Sequence, residues 1–215
     1  TALARELKDL FRNVYTGTVE TGPYRIDQKS IARRSLKNLC LSYLTELNDE
    51  DGRKLCVEQY RTANNMTDTM AALVSLANND CPEREEALAT FYEKWKGDPL
   101  VLDKWLSLQA TSRLADTLET VKALTKHPAF NIRNPNKVRA LIGAFTQANH
   151  VRFHDPGGAG YEFLADQALA IDPMNPQIAA RLVSAFTLWR RYDEKRKALM
   201  KAQLERILNT PKLSK

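Results

Sequence analysis

Three histidines and three cysteines are the only imidazole and thiol groups that 215 residues offer a transition metal. Cys40, Cys56 and Cys81 stand far apart, and no C-x-x-C pair is present. The spacing therefore offers no zinc–thiolate site and predicts buried, reduced thiols in a reducing compartment. His150 and His154 are four residues apart, the interval of a helical metal pair. H-E-x-x-H is nevertheless missing, and the chain runs on into Asp155-Pro156-Gly157-Gly158, which is turn chemistry. These two histidines are expected at the surface or at a cap. No Ser–His–acid set can be assembled with any preference from such sparse histidines. Glycine and proline are few, and no segment is of low complexity. No apolar run is long enough to cross a bilayer. The start, Thr1-Ala2-Leu3-Ala4-Arg5-Glu6-Leu7-Lys8, reads as amphipathic helix and not as a signal peptide. It lacks an initiator Met, so the chain reads as a fragment of a longer polypeptide. The one β-leaning stretch, Thr16 to Ile26, is interrupted by Gly17, Gly22 and Pro23 and reads as a turn.

What remains is helix. Leu36, Leu39, Cys40, Tyr43, Leu44 and Leu47 share a stripe, as do Met66, Met70, Leu73, Val74 and Ala77. Further stripes run through Leu88, Phe91, Tyr92 and Trp95, through Leu102, Trp105 and Leu106, and through Met200, Leu204, Ile207 and Leu208. Helix starts are marked by a recurring pair, a capping residue followed by proline: Cys81-Pro82, Asp98-Pro99, Asn134-Pro135 and Asn175-Pro176. Links between helices are short, which favours antiparallel neighbours. The expected fold is all-α: one domain over residues 1–215, an irregular superhelical stack of antiparallel helix pairs, α-solenoid-like. No strict sequence period is present, so a regular repeat family is not expected.

Net charge is +6. Arg190 to Lys215 hold nine Lys or Arg against three Asp or Glu, so this segment carries the whole excess. No nucleic-acid motif accompanies it, and Glu194 and Glu205 break the run, so a solvated helix face is expected. Asp155-Pro-Gly-Gly-Ala-Gly-Tyr161 lacks the Gly-Lys-Ser/Thr ending of a phosphate loop and reads as a turn before a helix bearing Tyr161, Leu164, Ala165 and Ala168.

Two features qualify as binding elements. The first is the helix opened by Asn134 and Pro135. Val138, Leu141, Ile142 and Phe145 form its apolar face, with Lys137 and Arg139 on the margin of that face. A helix start favours anions, and two cations there add to the field. The second is the helix after Asn175-Pro176. Gln177 and Arg181 share one side of it, and Ile178, Leu182, Ala185 and Trp189 are expected to form its apolar face. An Arg in such a place is either a structural ion pair or a grip for a carboxylate.

Several longer segments carry a resemblance. These are Asn64-Asn-Met-Thr-Asp-Thr-Met-Ala-Ala-Leu73, Leu102-Asp-Lys-Trp-Leu-Ser-Leu-Gln-Ala110, Asn134 to Phe145, Gly160-Tyr-Glu-Phe-Leu-Ala-Asp166, Asn175-Pro-Gln-Ile-Ala-Ala-Arg-Leu182 and Arg191-Tyr-Asp-Glu-Lys-Arg196. Together, and in this order, they resemble the C-terminal domain of bacterial aminopeptidase N, a gluzincin-type zinc aminopeptidase family. The resemblance covers nearly the whole chain and stops short of the family's final helix. It implies a parent enzyme, of the membrane alanyl aminopeptidase type, that removes N-terminal residues from peptides. Its zinc would be held by H-E-x-x-H and a later Glu in a thermolysin-like domain. Those motifs are absent from this sequence, so the chain by itself is expected to bind no zinc and to be inactive. Its implied role is to cap the active-site cavity and to position the C-terminal side of the peptide. The implied substrate-binding residues are Arg139, Gln177 and Arg181. The implied partners are the catalytic domain of the same polypeptide and peptide substrates, with no nucleic acid and no membrane, in the cytoplasm. A stand-alone helical module that binds a partner peptide is the alternative.

Overall fold

A computed structural model describes residues 1–214. Helices account for all the regular structure among them, and no strand is present. Contacts divide the chain into two compact units, Thr1–Lys94 and Trp95–Lys215.

The first unit runs α1 (Ala2–Glu6), α2 (Lys8–Thr18), α3 (Gln28–Thr45), α4 (Glu50–Thr62), α5 (Met66–Ala77) and most of α6 (Pro82–Trp95). Asp27, Asp49 and Asn65 cap α3, α4 and α5 by accepting from the backbone N–H of Ser30, Gly52 and Asp68. Neighbours in sequence are neighbours in space: α2 packs on α3, and α4 on α5. Leu41, Leu44, Cys56, Leu73 and Leu76 fill the space between them. All three cysteines are buried and free. Leu36 and Leu39, expected on the same stripe as Cys40 and Leu44, are half exposed instead.

A polar network runs through this packing. Lys37 pairs with Asp68 at 2.7 Å, each under a tenth exposed. Asn38 and Asn65 also donate to the Asp68 carboxylate. Gln59 donates to Asn38 and to the Asp68 carbonyl, and accepts from Tyr15. The Asp68 carboxylate thereby ties α3 to α5, and Gln59 extends the network to α4 and, through Tyr15, to α2. Burial alone would raise the Asp68 pKa, but the hydrogen bonds from Lys37, Asn65 and Asn38 outweigh it and hold it below the usual carboxylate value. Burial likewise pushes Tyr15 up to about 12.

The second unit contains α7 (Pro99–Ala110), α8 (Thr117–Leu124), α9 (Pro135–Val138), a π-helical turn (Arg139–Gly143), α10 (Ala144–Ala148), α11 (His150–Phe153) and α12 (Ala159–Ile171). It ends with α13 (Pro176–Val183), two 3-10 turns (Ser184–Phe186 and Trp189–Arg191) and α14 (Glu194–Leu208). Its core is aromatic. Phe145 meets Phe153 and Phe163 edge-on at 6.0 and 5.8 Å, and Phe153 meets Tyr161 at 5.3 Å. Such edge-to-face pairs add to the gain from area burial.

The glycine-rich turn serves this core. Gly158 has φ +82°, and a Cβ there would lie 2.9 Å from Leu199. A Cβ on Gly160 would stand 2.5 Å from the Phe153 carbonyl, so α12 can start against α11 only without a side chain.

His154 caps the C-terminus of α11, as one of the two expected placements had it, but it is buried. Tyr161 lies 3.0 Å from its Nδ1 and Tyr192 lies 2.8 Å from its Nε2. Arg196 donates to its carbonyl. The ring thus pins the start of α14 to α12. Burial, aided by His150 and Arg196, lowers its pKa to about 4.

Helix α13 is also shorter than its stripe predicts. It stops at Val183, and the chain tightens to bury Phe186 against Phe153 and Tyr161 at 6.2 and 5.9 Å. Trp189 consequently lies in a separate turn, off the face of α13.

Two stability tests follow from these networks. Lys37→Ala strands the Asp68 carboxylate and is expected to lower the unfolding free energy by about 3–5 kcal/mol in urea melts. His154 is neutral in the fold below the pH at which it would protonate in the unfolded chain. Its contribution is complete above about pH 6.5 and is lost as pH falls towards 4. Urea midpoints between pH 7 and 4.5 should therefore drop less steeply in His154→Gln than in the native chain.

Candidate functional site

The two helix starts singled out in the sequence face each other across a pocket. Asn134 caps α9 by accepting from the Asn136 N–H at 2.9 Å, and Asn175 caps α13 by accepting from Ile178 at 3.2 Å. Pro135 and Pro176 occupy the first helical positions. Between these ends lies a pocket of about 280 Å³. Ile132, Arg133, Pro135 and Val138 form one wall of it. Ile171, Met174, Asn175 and Ile178 form the other.

Arg139, Gln177 and Arg181 are all exposed. None of them lines the pocket, but Arg139 follows Val138 and Gln177 precedes Ile178. Adjacent Cα atoms are about 3.8 Å apart, so the backbone of both residues borders the walls, although successive helical side chains point about 100° apart. The Arg139 guanidinium donates to the Asn136 side chain. Among the described residues, neither Arg139 nor Arg181 makes an ion pair, so their charge is open to an anion from outside.

Lys137 does not share that role, contrary to the sequence reading. It is 7% exposed, pairs with Asp103 at 2.8 Å and donates to the Pro99 carbonyl at 2.7 Å. The physical reason is rotation. Lys137 turns towards α7, whose first turn presents a carbonyl and a carboxylate, whereas Arg139, two residues on, turns to solvent.

Sequence reasoning missed the π turn. The Ala144 N–H bonds to the Arg139 carbonyl, five residues back, where an α-helix would use four. Ser107 on α7 donates to the Ala140 carbonyl inside this turn at 2.8 Å. The turn begins at Arg139, and such turns occur often at functional sites. No residue type announces it, and Gly143 is not the cause, since a Cβ there would meet only ordinary contacts. Arg133 was also missed. It lies just before the cap, where helix periodicity has nothing to say.

Four of the nine cations in the basic C-terminal segment are paired among the described residues. Arg196 pairs with Asp193, Lys197 with Glu194, Lys201 with Glu205 and Arg206 with Asp166. No group of three or more His, Cys, Asp or Glu among the described residues is placed to hold a metal ion. No helix among them is long and apolar enough to cross a membrane.

Residues 1–215 match the family described as "Domain of unknown function (DUF3458_C) ARM repeats". Among curated proteins, the chain is 43% identical to aminopeptidase N of Haemophilus influenzae over 99% of its own length and 24% of that protein. It is 42% identical to aminopeptidase N of Caulobacter vibrioides over 100% of its length and 25% of that protein. Among solved structures, the crystal structure of Legionella pneumophila aminopeptidase A in complex with aspartic acid superposes with a TM-score of 0.87 at 38% identity. That match covers 95% of this chain and 25% of the other. The chain thus spans about a quarter of the length of these relatives. The all-α, solenoid-like class agrees with the ARM description. The repeat itself was not expected from sequence, because helices from 4 to 18 residues long leave no fixed period.

The position of Lys137 can be tested directly. Lys137→Met leaves Asp103 without its cation and should cost about 2–3 kcal/mol in urea melts. Arg139→Met, two residues away, should stay within about 0.5 kcal/mol of the native chain. The chain belongs to the DUF3458_C family of ARM-repeat domains, the C-terminal helical domain of aminopeptidase N-type enzymes.

Proposed function

We propose that this chain is the non-catalytic helical cap of a zinc aminopeptidase that removes N-terminal residues from peptides. It encloses the active-site cavity and positions the C-terminal side of the substrate. Catalysis and zinc belong to a thermolysin-like domain of the same polypeptide. In this reading Arg181 and Arg139 hold the peptide carboxylate electrostatically, and Gln177 adds a hydrogen bond. The observation that carries it is the pair of exposed arginines without an ion-pair partner among the described residues, Arg139 just after α9 and Arg181 in the last turn of α13, on the two helices whose capped starts border one pocket. An Arg fork suits a carboxylate better than Lys does. Placement in the cytoplasm rests on three buried, unpaired thiols.

A second reading, a stand-alone module for a partner helix, draws on Leu36 and Leu39, which stand half exposed on α3.

Kinetics of the parent enzyme separate the two. Arg181→Ala should raise KM for peptides about tenfold and leave aminoacyl amides, which have no carboxylate, nearly unchanged. Equal effects on both substrates would remove the carboxylate role. The 215-residue chain alone should not cleave an aminoacyl chromogenic substrate, with or without added zinc. Turnover by the purified chain would overturn the capping assignment.

A further inference from the structure

The pocket between α9 and α13 has a chemistry of its own. Ile132, Pro135, Val138, Ile171, Met174 and Ile178 give it apolar side chains, and backbone with Arg133 and Asn175 gives it a matching polar share. Its two polar residues behave differently. The Asn175 side chain is already engaged as the α13 cap. The Arg133 backbone N–H is engaged by Asn131, but the Arg133 guanidinium is exposed and makes no ion pair among the described residues. No carboxylate lines the pocket.

At about 280 Å³ it lies at the lower edge of the ligand-pocket range, which suits a single side chain and not a length of peptide. Met174, half exposed and unbranched, can follow side chains of different shape. Arg139 and Gln177 are the chain neighbours of the wall residues Val138 and Ile178, which brings a carboxylate held by Arg139 within a residue's reach of the pocket.

We propose that this pocket binds the apolar side chain of a peptide's carboxyl-terminal residue, and that Arg133 bars a basic side chain from it. The inference rests on the carboxylate role of Arg139 and Arg181 and adds a choice of residue to it. Leucine, methionine or phenylalanine at the carboxyl end gains by leaving water. Glycine offers nothing to bury. A lysine would have to bring its ammonium against Arg133 with no anion on the walls to offset it.

The test is binding of N-acetyl amino acids to the 215-residue chain, followed by amide NMR. N-acetyl-leucine should give saturable shifts at Val138, Met174 and Ile178 and bind about tenfold tighter than N-acetyl-glycine or N-acetyl-lysine. Ile178→Asp should abolish the preference for leucine, and Arg133→Gln should admit lysine. Equal binding of leucine and glycine, shifts centred elsewhere, or no binding by a chain with a dispersed spectrum would overturn the proposal. N-acetyl-leucine amide separates the two ideas. If it binds as well as the acid and both exceed glycine, the pocket stands and the carboxylate role fails. If the isolated chain gives a collapsed spectrum, the same order is read from KM values for dipeptides ending in Leu, Gly and Lys in the parent enzyme.

Discussion

Lys137 and its bonds to α7 hold the candidate site in place. The ammonium sits between the Asp103 carboxylate and the Pro99 carbonyl, within 2.8 Å of each, and is almost sealed from water. Once buried, neither charge can leave without stranding the other. The first turn of α9 is therefore fixed to the first turn of α7, which Asp98 itself caps through Leu100 and Val101. The α9 side of the site follows from that attachment: the wall of Pro135 and Val138, and the outward direction of Arg139. A cation that looked like part of the binding surface is the clamp that orients the cation beside it.

Much of the fold was legible because caps and stripes are local. Asp98, Asn134 and Asn175 cap where sequence placed them, each with proline at the next position. Val138, Leu141, Ile142 and Phe145 are all buried, as their spacing required. The errors share a cause, which is that each residue is governed by something distant in sequence. Lys137 answers to Asp103. His154 answers to Tyr192 and Arg196, on the far side of α12 and α13 in the chain. α13 ends early because Phe186 is drawn into aromatic contacts that periodicity cannot show. Arg139, Gln177 and Arg181 could be named from sequence, but the pocket between their helices could not, because its walls come from both sides of α12.

The two units solve burial of polar groups differently. In the first, a single carboxylate, Asp68, gathers donors from Lys37, Asn38 and Asn65, so the helices converge on one charge. In the second, rings make the centre, and polar groups lie at its margin: His154 between two tyrosines, Asn149 bonded to the Ala110 and Ser112 carbonyls. A convergent network is all-or-none, since each member lacks a partner when one is lost. An aromatic core tolerates adjustment at its edge, where the two capped helix starts lie.

The π turn at Arg139–Gly143 places one more residue between α9 and α10 than an uninterrupted α-helix would need. An extra residue of this kind is read in evolution as an insertion. A relative that lacks it would keep Phe145 in its core and turn the residue aligned with Arg139 by about 100° around the axis. Charge at this spot can thus be switched between inside and outside by indel, without any change of residue type. Alignments of this segment should be gapped by geometry before arginines are compared.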